Sequence, residues 1–543
     1  MIDKKFILYV LVGILAFALW NAWQQDYKQP PESVAVKESN TPTAVKKPST
    51  ALHNLQVPDS RLIKVHTDVF TIAIDTQGGN IISADLLNYP QDNNKSKPVV
   101  LLSDNSKHYY IASSGLLSDL GPDLPDKLAQ YQVSQHSYTL QPEQNDLKVK
   151  LLWSNARGLT VTKNFIFTRG KYDIAVNYEI NNHTSQAWQG QFYAQIQRKQ
   201  VDSKGGFFQF NTYTGAAVSS PETPYEKISF AKMEEIAKEK RGFIRDSQGG
   251  WVAMQQRYFL SVWIPPQDDT YRYFSEVNKG IYTIGLSDDS VVVPAGQQTT
   301  IATTFYTGPG ITDNLAPLAK GLDRTVDYGW LWPIAMVFFW VLKQIYKVVG
   351  NWGWAIVLLT LLIKLVFYKL SESSCRSMAK MRDLMPKIQA IKERYADDRQ
   401  QLHQATMELY KRENINPLNL GGCLPMLVQI PFFIALYYVL LGAVELRDAP
   451  FVFWIHDLSA HDPYYILPIL MGLSMFLQQR LTPTSADPTQ AKMMMFMPLI
   501  FTIFFLNFPA GLVLYWLMSN LLSILQQWYI NKKLATGHSR KKH

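Results

Sequence analysis

From residue 58 onward, hydrophobic positions change their period once, near residue 325. Before that point apolar and polar residues alternate in short runs, which predicts strands. Val69–Asp75 alternates, Thr76–Gly79 supplies a turn and Asn80–Ser83 resumes. Leu147–Trp153, Leu159–Phe167, Tyr172–Ile180, Trp251–Met254, Phe259–Ile264, Gly280–Gly285 and Thr299–Tyr306 repeat the pattern, broken by turns such as Asn155–Gly158 and Arg169–Gly170. Many short strands with Gly and Asn turns predict a large β-sandwich over 58–325, with one helix near Phe230–Lys240.

Six longer apolar runs read as membrane-spanning helices. Phe6 to Trp23 follows Lys4 and Lys5 and ends without an A-x-A-like cleavage site, so 1–23 reads as an uncleaved signal anchor. Residues 24–57, rich in Pro, Ser, Thr, Val and Lys, read as a flexible linker. The second span is Trp352–Lys369, within 351–370. The other four, Leu424–Leu441, Tyr464–Gln478, Met493–Phe508 and Gly511–Trp528, fall within 424–530, before a basic tail at 531–543. In 371–423, Met378, Met381, Met385, Ile388, Ile391 and Tyr395 recur at helical spacing; Ala396–Asp398 breaks it, and Leu402, Ala405, Leu409 and Tyr410 resume. That is the pattern of an antiparallel helical hairpin. Residues 326–350 hold an apolar core of about 13 residues, short for a span. With Trp330, Trp332, Trp340, Lys343 and Lys347 around it, this piece reads as an amphipathic helix on the outer surface.

Charge sets the orientation. The net charge of +9 gathers beside the apolar runs, which suits a cytoplasmic membrane surface better than DNA or other nucleic acid. Lys4, Lys5, the nine Lys and Arg residues of the hairpin and the basic tail go to the cytoplasm, and 24–351 and 443–463 go outside. A span at 328–342 would put the hairpin and tail outside, against that bias. The two cysteines, Cys375 and Cys423, fall on the cytoplasmic side, which excludes a disulfide framework from the outer domain. No HExxH, Walker or GxSxG motif occurs, so no cofactor or metal is expected. A membrane-tethered carbohydrate enzyme is one alternative, but no close carboxylate pair stands out. A secondary transporter is another, but no repeat relates 352–441 to 464–528.

Polar residues interrupt the spans. Lys364 lies in the second, with Thr360 four residues earlier on the same helix face. A lysine there costs about 2.5–3.5 kcal/mol on insertion scales. Two readings stay open: it snorkels to the cytoplasmic interface, or it faces a wet cavity in a helix bundle. Gln429 lies in the third span, Ser474 and Gln478 in the fourth, and Thr502 in the fifth. In the sixth, Trp516, Asn520, Ser523 and Gln527 fall on one helix face. Each suits interhelical hydrogen bonding; with the lysine they outline a hydrated groove open to the cytoplasm. Thirteen of the 16 methionines follow residue 330, which suits either a surface accepting many apolar sequences or gap-filling in membrane packing.

Several stretches resemble the YidC family of membrane protein insertases: Ser377–Met381, Pro386–Gln389, Asn416–Pro417, Gly421–Pro425, Phe453–Leu458, Asp462–Pro468 and Phe508–Trp516. Gly249–Met254 and Trp263–Pro265 look like the periplasmic domain of its Gram-negative members. The resemblance implies a polytopic α-helical protein of the bacterial inner membrane, with a signal anchor, a five-helix core, a periplasmic sandwich of supersandwich type and a cytoplasmic hairpin. It implies no enzymatic role. It implies a groove with one basic residue, usually arginine, where this chain has Lys364. It sets Thr360 and Trp516 along the path of the incoming helix, with tyrosine commoner at the latter position, and brings Tyr515 into the groove set of Lys364, Thr360, Gln429, Ser474, Tyr515, Trp516, Asn520 and Ser523. The expected partners are nascent membrane proteins, the lipid bilayer, the ribosome, the Sec translocon and the signal-recognition pathway receptor. Arg376, Lys380, Arg382, Lys387, Arg394 and Arg399 of the hairpin are the expected contacts on the cytoplasmic side.

Overall fold

A computed structural model describes residues 57–91, 94–200, 213–238, 243–329, 331–395, 398–413, 424–481 and 488–539. The signal anchor, nearly all of the linker, Trp330 and Cys423 lie outside these residues. The chain splits into two compact units, divided between Asp327 and Tyr328.

The first unit is two large sheets. One has 11 strands, the other eight. Expected and observed strands coincide closely: Phe70–Asp75, Asn80–Pro90, Asp146–Ser154, Leu159–Thr168, Asp173–Asn182, Trp251–Gln255, Phe259–Ile264, Ile281–Ser287 and Gln298–Pro309. The helix α1 spans Phe230–Lys238, and the one-turn α2 spans Thr312–Leu315. Period-two reasoning missed ten of the 19 described strands, the longest being Trp188–Lys199, Thr270–Asn278 and Tyr110–Leu117. Every residue of Tyr110–Leu117 is buried, so no alternation marks it. The sheets face one another across an apolar core. Tyr110 of the larger sheet donates its hydroxyl to the Met254 carbonyl of the smaller at 2.9 Å. Trp263 donates its indole N–H to the Gln195 carbonyl at 3.2 Å, and Tyr178 packs edge-on against Phe192 at 5.8 Å.

A cation sits inside that core. Lys163 is 0% exposed. Its Nζ donates to the carbonyls of Ser114 at 2.7 Å, Gly79 at 2.8 Å and Gly78 at 3.2 Å, and lies 5.2 Å from the Phe165 ring and 5.3 Å from the Tyr178 ring. Gly78 and Gly79 have φ of +78° and +60°, a conformation that turns the tight loop toward the lysine and that residues with a Cβ rarely adopt. Asp123, also 0% exposed, accepts from the Ala129 amide at 2.8 Å and the Leu116 amide at 3.1 Å. Burial pulls the Lys163 ammonium down in pKa and pushes the Asp123 carboxyl up, and the attraction between the two opposes both shifts.

The second unit is helical: α3 (Trp332–Val349), α4 (Trp352–Val366), α5 (Tyr368–Arg394), α6 (Arg399–Arg412), α7 (Leu424–Gly442), α8 (Ile466–Leu481), α9 (Pro488–Phe505) and α10 (Ala510–Ser539). Three features depart from the sequence reading. The piece expected to be too short to span forms α3, 18 residues long and apolar enough to cross a membrane. The second apolar run does not continue straight to Lys369: α4 ends at Val366, and the chain bends by 61° into α5. The last helix does not stop near Trp528 but continues to Ser539, because no proline or glycine interrupts it until Gly537. By length and apolar composition, among the described residues only α3 and the bent pair α4–α5 reach spanning size, while α8 and parts of α7 and α9 are shorter apolar helices. The α5–α6 hairpin closes over Leu384 and Ile388, with Met385, Leu409 and Tyr410 against them; all but Leu384 belong to the helical spacing read from the sequence. Asp398 caps α6, its carboxylate accepting from the amides of Gln400 at 2.9 Å and Gln401 at 3.0 Å.

Candidate functional site

Helix α10 is the hub of the helical unit: α8, α4 and the start of α5 pack against it, and side chains of α7 reach it. Gly472 lets α8 approach α9 closely, since a Cβ there would lie 1.9 Å from Thr502 Oγ1. The outer faces of α8 and α9 are apolar and exposed, with Leu473, Leu477, Leu499 and Ile503 pointing away from the bundle. Polar residues instead gather where α10 meets its neighbours.

Lys364 occupies the last turn of α4, where a cation is favoured by the helix carbonyls. It is half-buried, and its Nζ donates to Ser523 Oγ on α10 at 2.8 Å. Among the described residues no carboxylate forms an ion pair with it. The Ser523 hydroxyl in turn donates to the Ser519 carbonyl at 2.8 Å. Gln429 of α7 donates to Ser519 Oγ at 2.7 Å and lies 3.4 Å from the Tyr515 hydroxyl. Tyr515, Ser519 and Ser523 stand at successive helical turns, so one edge of α10 holds the lysine of α4 and the glutamine of α7.

The remaining polar residues form a second edge. Asn520 donates to Ser474 Oγ on α8 at 3.0 Å. Gln527 donates to the Leu481 carbonyl at 3.1 Å. Trp516 turns into an aromatic cluster, 4.9 Å from Phe433 and 5.4 Å from Phe505, and its buried indole N–H has no partner among the described residues. The single stripe expected from Trp516, Asn520, Ser523 and Gln527 is thus two adjacent edges, with Ser523 on the lysine side. Ser519 was absent from the expected set. Its signal was available, because it lies four residues from both Tyr515 and Ser523.

Thr360 does not join Lys364. It is 1% exposed, and its hydroxyl donates to the Ile356 carbonyl of its own helix at 2.7 Å. On the hairpin, Arg376 pairs with Glu372 at 2.6 Å and Lys387 with Glu413 at 2.9 Å, while Lys380 is exposed and Arg394 lies 5.8 Å from the Tyr395 ring. The side chains of Arg382 and Arg399 lie outside the described set. Among the described residues no group of His, Cys, Asp and Glu could hold a metal ion.

An apolar-faced helix bundle with polar residues along its seam, joined to a large β unit, points to an integral membrane protein. Similarity to known proteins sharpens that class. Residues 62–341 match the YidC periplasmic domain, and residues 344–537 match the 60Kd inner membrane protein family. A membrane protein insertase YidC of Coxiella burnetii (strain Dugway 5J108-111) is 48% identical, covering 99% of this chain and 98% of its own. Those of Legionella pneumophila (strain Lens) and Nitrosococcus oceani are 44% and 43% identical, with 98% and 99% of their own lengths covered. A solved structure of an active YidC insertase matches at 17% identity with a TM-score of 0.38, over 86% of this chain and 92% of that one. The chain belongs to the YidC family of membrane protein insertases. It is an inner-membrane insertase whose substrates are nascent membrane proteins, and the family is not one of enzymes.

Proposed function

We propose that insertion runs through a hydrated groove between α4, α7 and α10 that opens to the cytoplasm, with Lys364 as its charge. The observation that carries this is the half-buried ammonium: it has one hydroxyl partner and no carboxylate among the described residues. A cation left so is costly in a lipid setting unless water or substrate reaches it. The 15 residues of α4 rise about 22 Å, less than the roughly 30 Å of a hydrocarbon core. A wet groove on that helix shortens the apolar distance a polar tail must cross.

The nascent segment first meets the α5–α6 hairpin, through Arg376, Lys380, Arg382, Lys387, Arg394 and Arg399, and then enters the groove. Lys364 draws acidic residues of the translocated tail, and Gln429, Tyr515, Ser474, Asn520 and Trp516 accompany it. Burial of the new helix in lipid, at ~0.8 kcal/mol per CH₂, drives the step. Ribosome, signal-recognition receptor and Sec translocon are the partners that deliver the chain or share it. The lysine and arginine bias places both termini and the hairpin in the cytoplasm and the β unit in the periplasm. Helix α3 is long and apolar enough to span, yet spanning would reverse that placement, so it lies along the outer surface. The test is Lys364→Ala at equal expression: insertion of acidic-tailed substrates falls about tenfold, one unit charge interaction of about 1.4 kcal/mol. Full insertion by that variant removes the charge role.

A further inference from the structure

We propose that Ser523 is the positioning residue of the groove: it pins the Lys364 ammonium against α10 and leaves two of its N–H groups for a carboxylate of the incoming chain. This rests on the groove reading above.

Donor and acceptor chemistry fixes the roles. The Ser519 carbonyl can only accept, so the Ser523 hydroxyl proton, 2.8 Å away, points to it. The lone pairs of Ser523 Oγ are then turned toward Lys364 Nζ, which can only donate, at 2.8 Å. An ammonium has three donors, and this contact uses one. One turn along α10, Ser519 Oγ accepts from the Gln429 amide at 2.7 Å. Two serines on successive turns therefore hold a cation and an amide from different helices at a fixed spacing.

The tether matters more for lysine than for arginine. A lysine stem has many rotamers, and holding its head in place before substrate arrives removes that freedom in advance. A guanidinium is a rigid fork with five donors and loses little when one acceptor is missing. Ser523 is thus what lets a lysine serve at position 364.

The experiment uses the full-length protein in proteoliposomes and two single-span substrates whose translocated tails differ only by Asp against Asn. The readout is the ratio of Asp-tail to Asn-tail insertion. Ser523→Ala lowers that ratio about fivefold, the weakening from loss of one charge-assisted hydrogen bond. Ser523→Thr restores it, and the double variant Lys364→Arg with Ser523→Ala keeps it at the parental value. An unchanged ratio in Ser523→Ala, no rescue by threonine, or an equal loss in the arginine background overturns the proposal. Lys364→Ala in the same assay separates the two claims. If it leaves the ratio unchanged, the groove reading itself fails; if it lowers the ratio while Ser523→Ala does not, only the positioning role falls.

Discussion

Lys163 and Lys364 are both cations withdrawn from bulk water, and the two halves of the molecule treat them differently. In the β unit, Lys163 spends all three donors on carbonyls of the facing sheet and its turn, with Asp123 nearby to balance the charge. In the helical unit, Lys364 spends one donor on a hydroxyl. A saturated buried cation ties two layers together and has nothing left to offer. A half-buried cation with donors to spare at a helix junction can take a further acceptor, from water or from an arriving chain. The contrast separates a lysine saturated by the fold from one with donors to spare, which is what the proposed groove requires of Lys364.

Breaking the saturated site gives the largest effect. Lys163→Met strands three carbonyls and a buried carboxylate, so the β unit loses about 3–5 kcal/mol in urea unfolding of the full-length protein. A loss below about 1 kcal/mol means the lysine is not the tie between the sheets. A second buried ionisable group sharpens the picture through pH. Burial pushes the Asp288 carboxyl up to about 7, opposed by its hydrogen bond from the Phe192 amide and reinforced by Asp289 and Asp269. The folded state holds that proton more tightly than the unfolded one. Its stabilising contribution is therefore complete below the ordinary carboxylate range and is lost as pH rises to about 7. Asp288→Asn keeps the neutral form and still accepts from Phe192. The gap between variant and parent then grows in the variant's favour from about pH 4 to pH 7, by at most about 1.4 kcal/mol per unit. Parallel melting curves across that range contradict it. The smallest effect belongs to Thr360→Val. With its hydroxyl satisfied by its own helix, the substitution changes insertion by less than about twofold, a few tenths of a kcal/mol. A tenfold loss returns Thr360 to the substrate path.

The same residues show what the sequence could and could not disclose. Alternation marked nine of the 19 described strands of the β unit, but Tyr110–Leu117, buried throughout, carries no period to read. Lys364 and Gln429 were legible as polar intrusions into apolar runs, because each is costly where it stands. Their partner on α10 was half legible. A helical wheel cannot say which of two adjacent edges faces which neighbour, so it groups Ser523 with Trp516 and Asn520 and leaves Ser519 out. The end of α4 at Val366 was hidden because Phe367 and Tyr368 continue the apolar run through the bend. Thr360 shares a helix face with Lys364 by spacing, but spacing does not show that its hydroxyl turns back to the Ile356 carbonyl.

Whether arriving polypeptide meets the α4–α7–α10 seam is the point on which the account stands. Photo-crosslinking from a ribosome-stalled nascent membrane protein tests it, with the probe placed in turn at positions 364, 429 and 516 in the seam and at the outward-facing positions 365 and 473. Adducts to the nascent chain from the three seam positions, and few from Leu365 and Leu473, are the predicted result. Equal adducts from all five, or adducts from the outer positions alone, would place the substrate on the lipid-facing surface and contradict a groove built around Lys364.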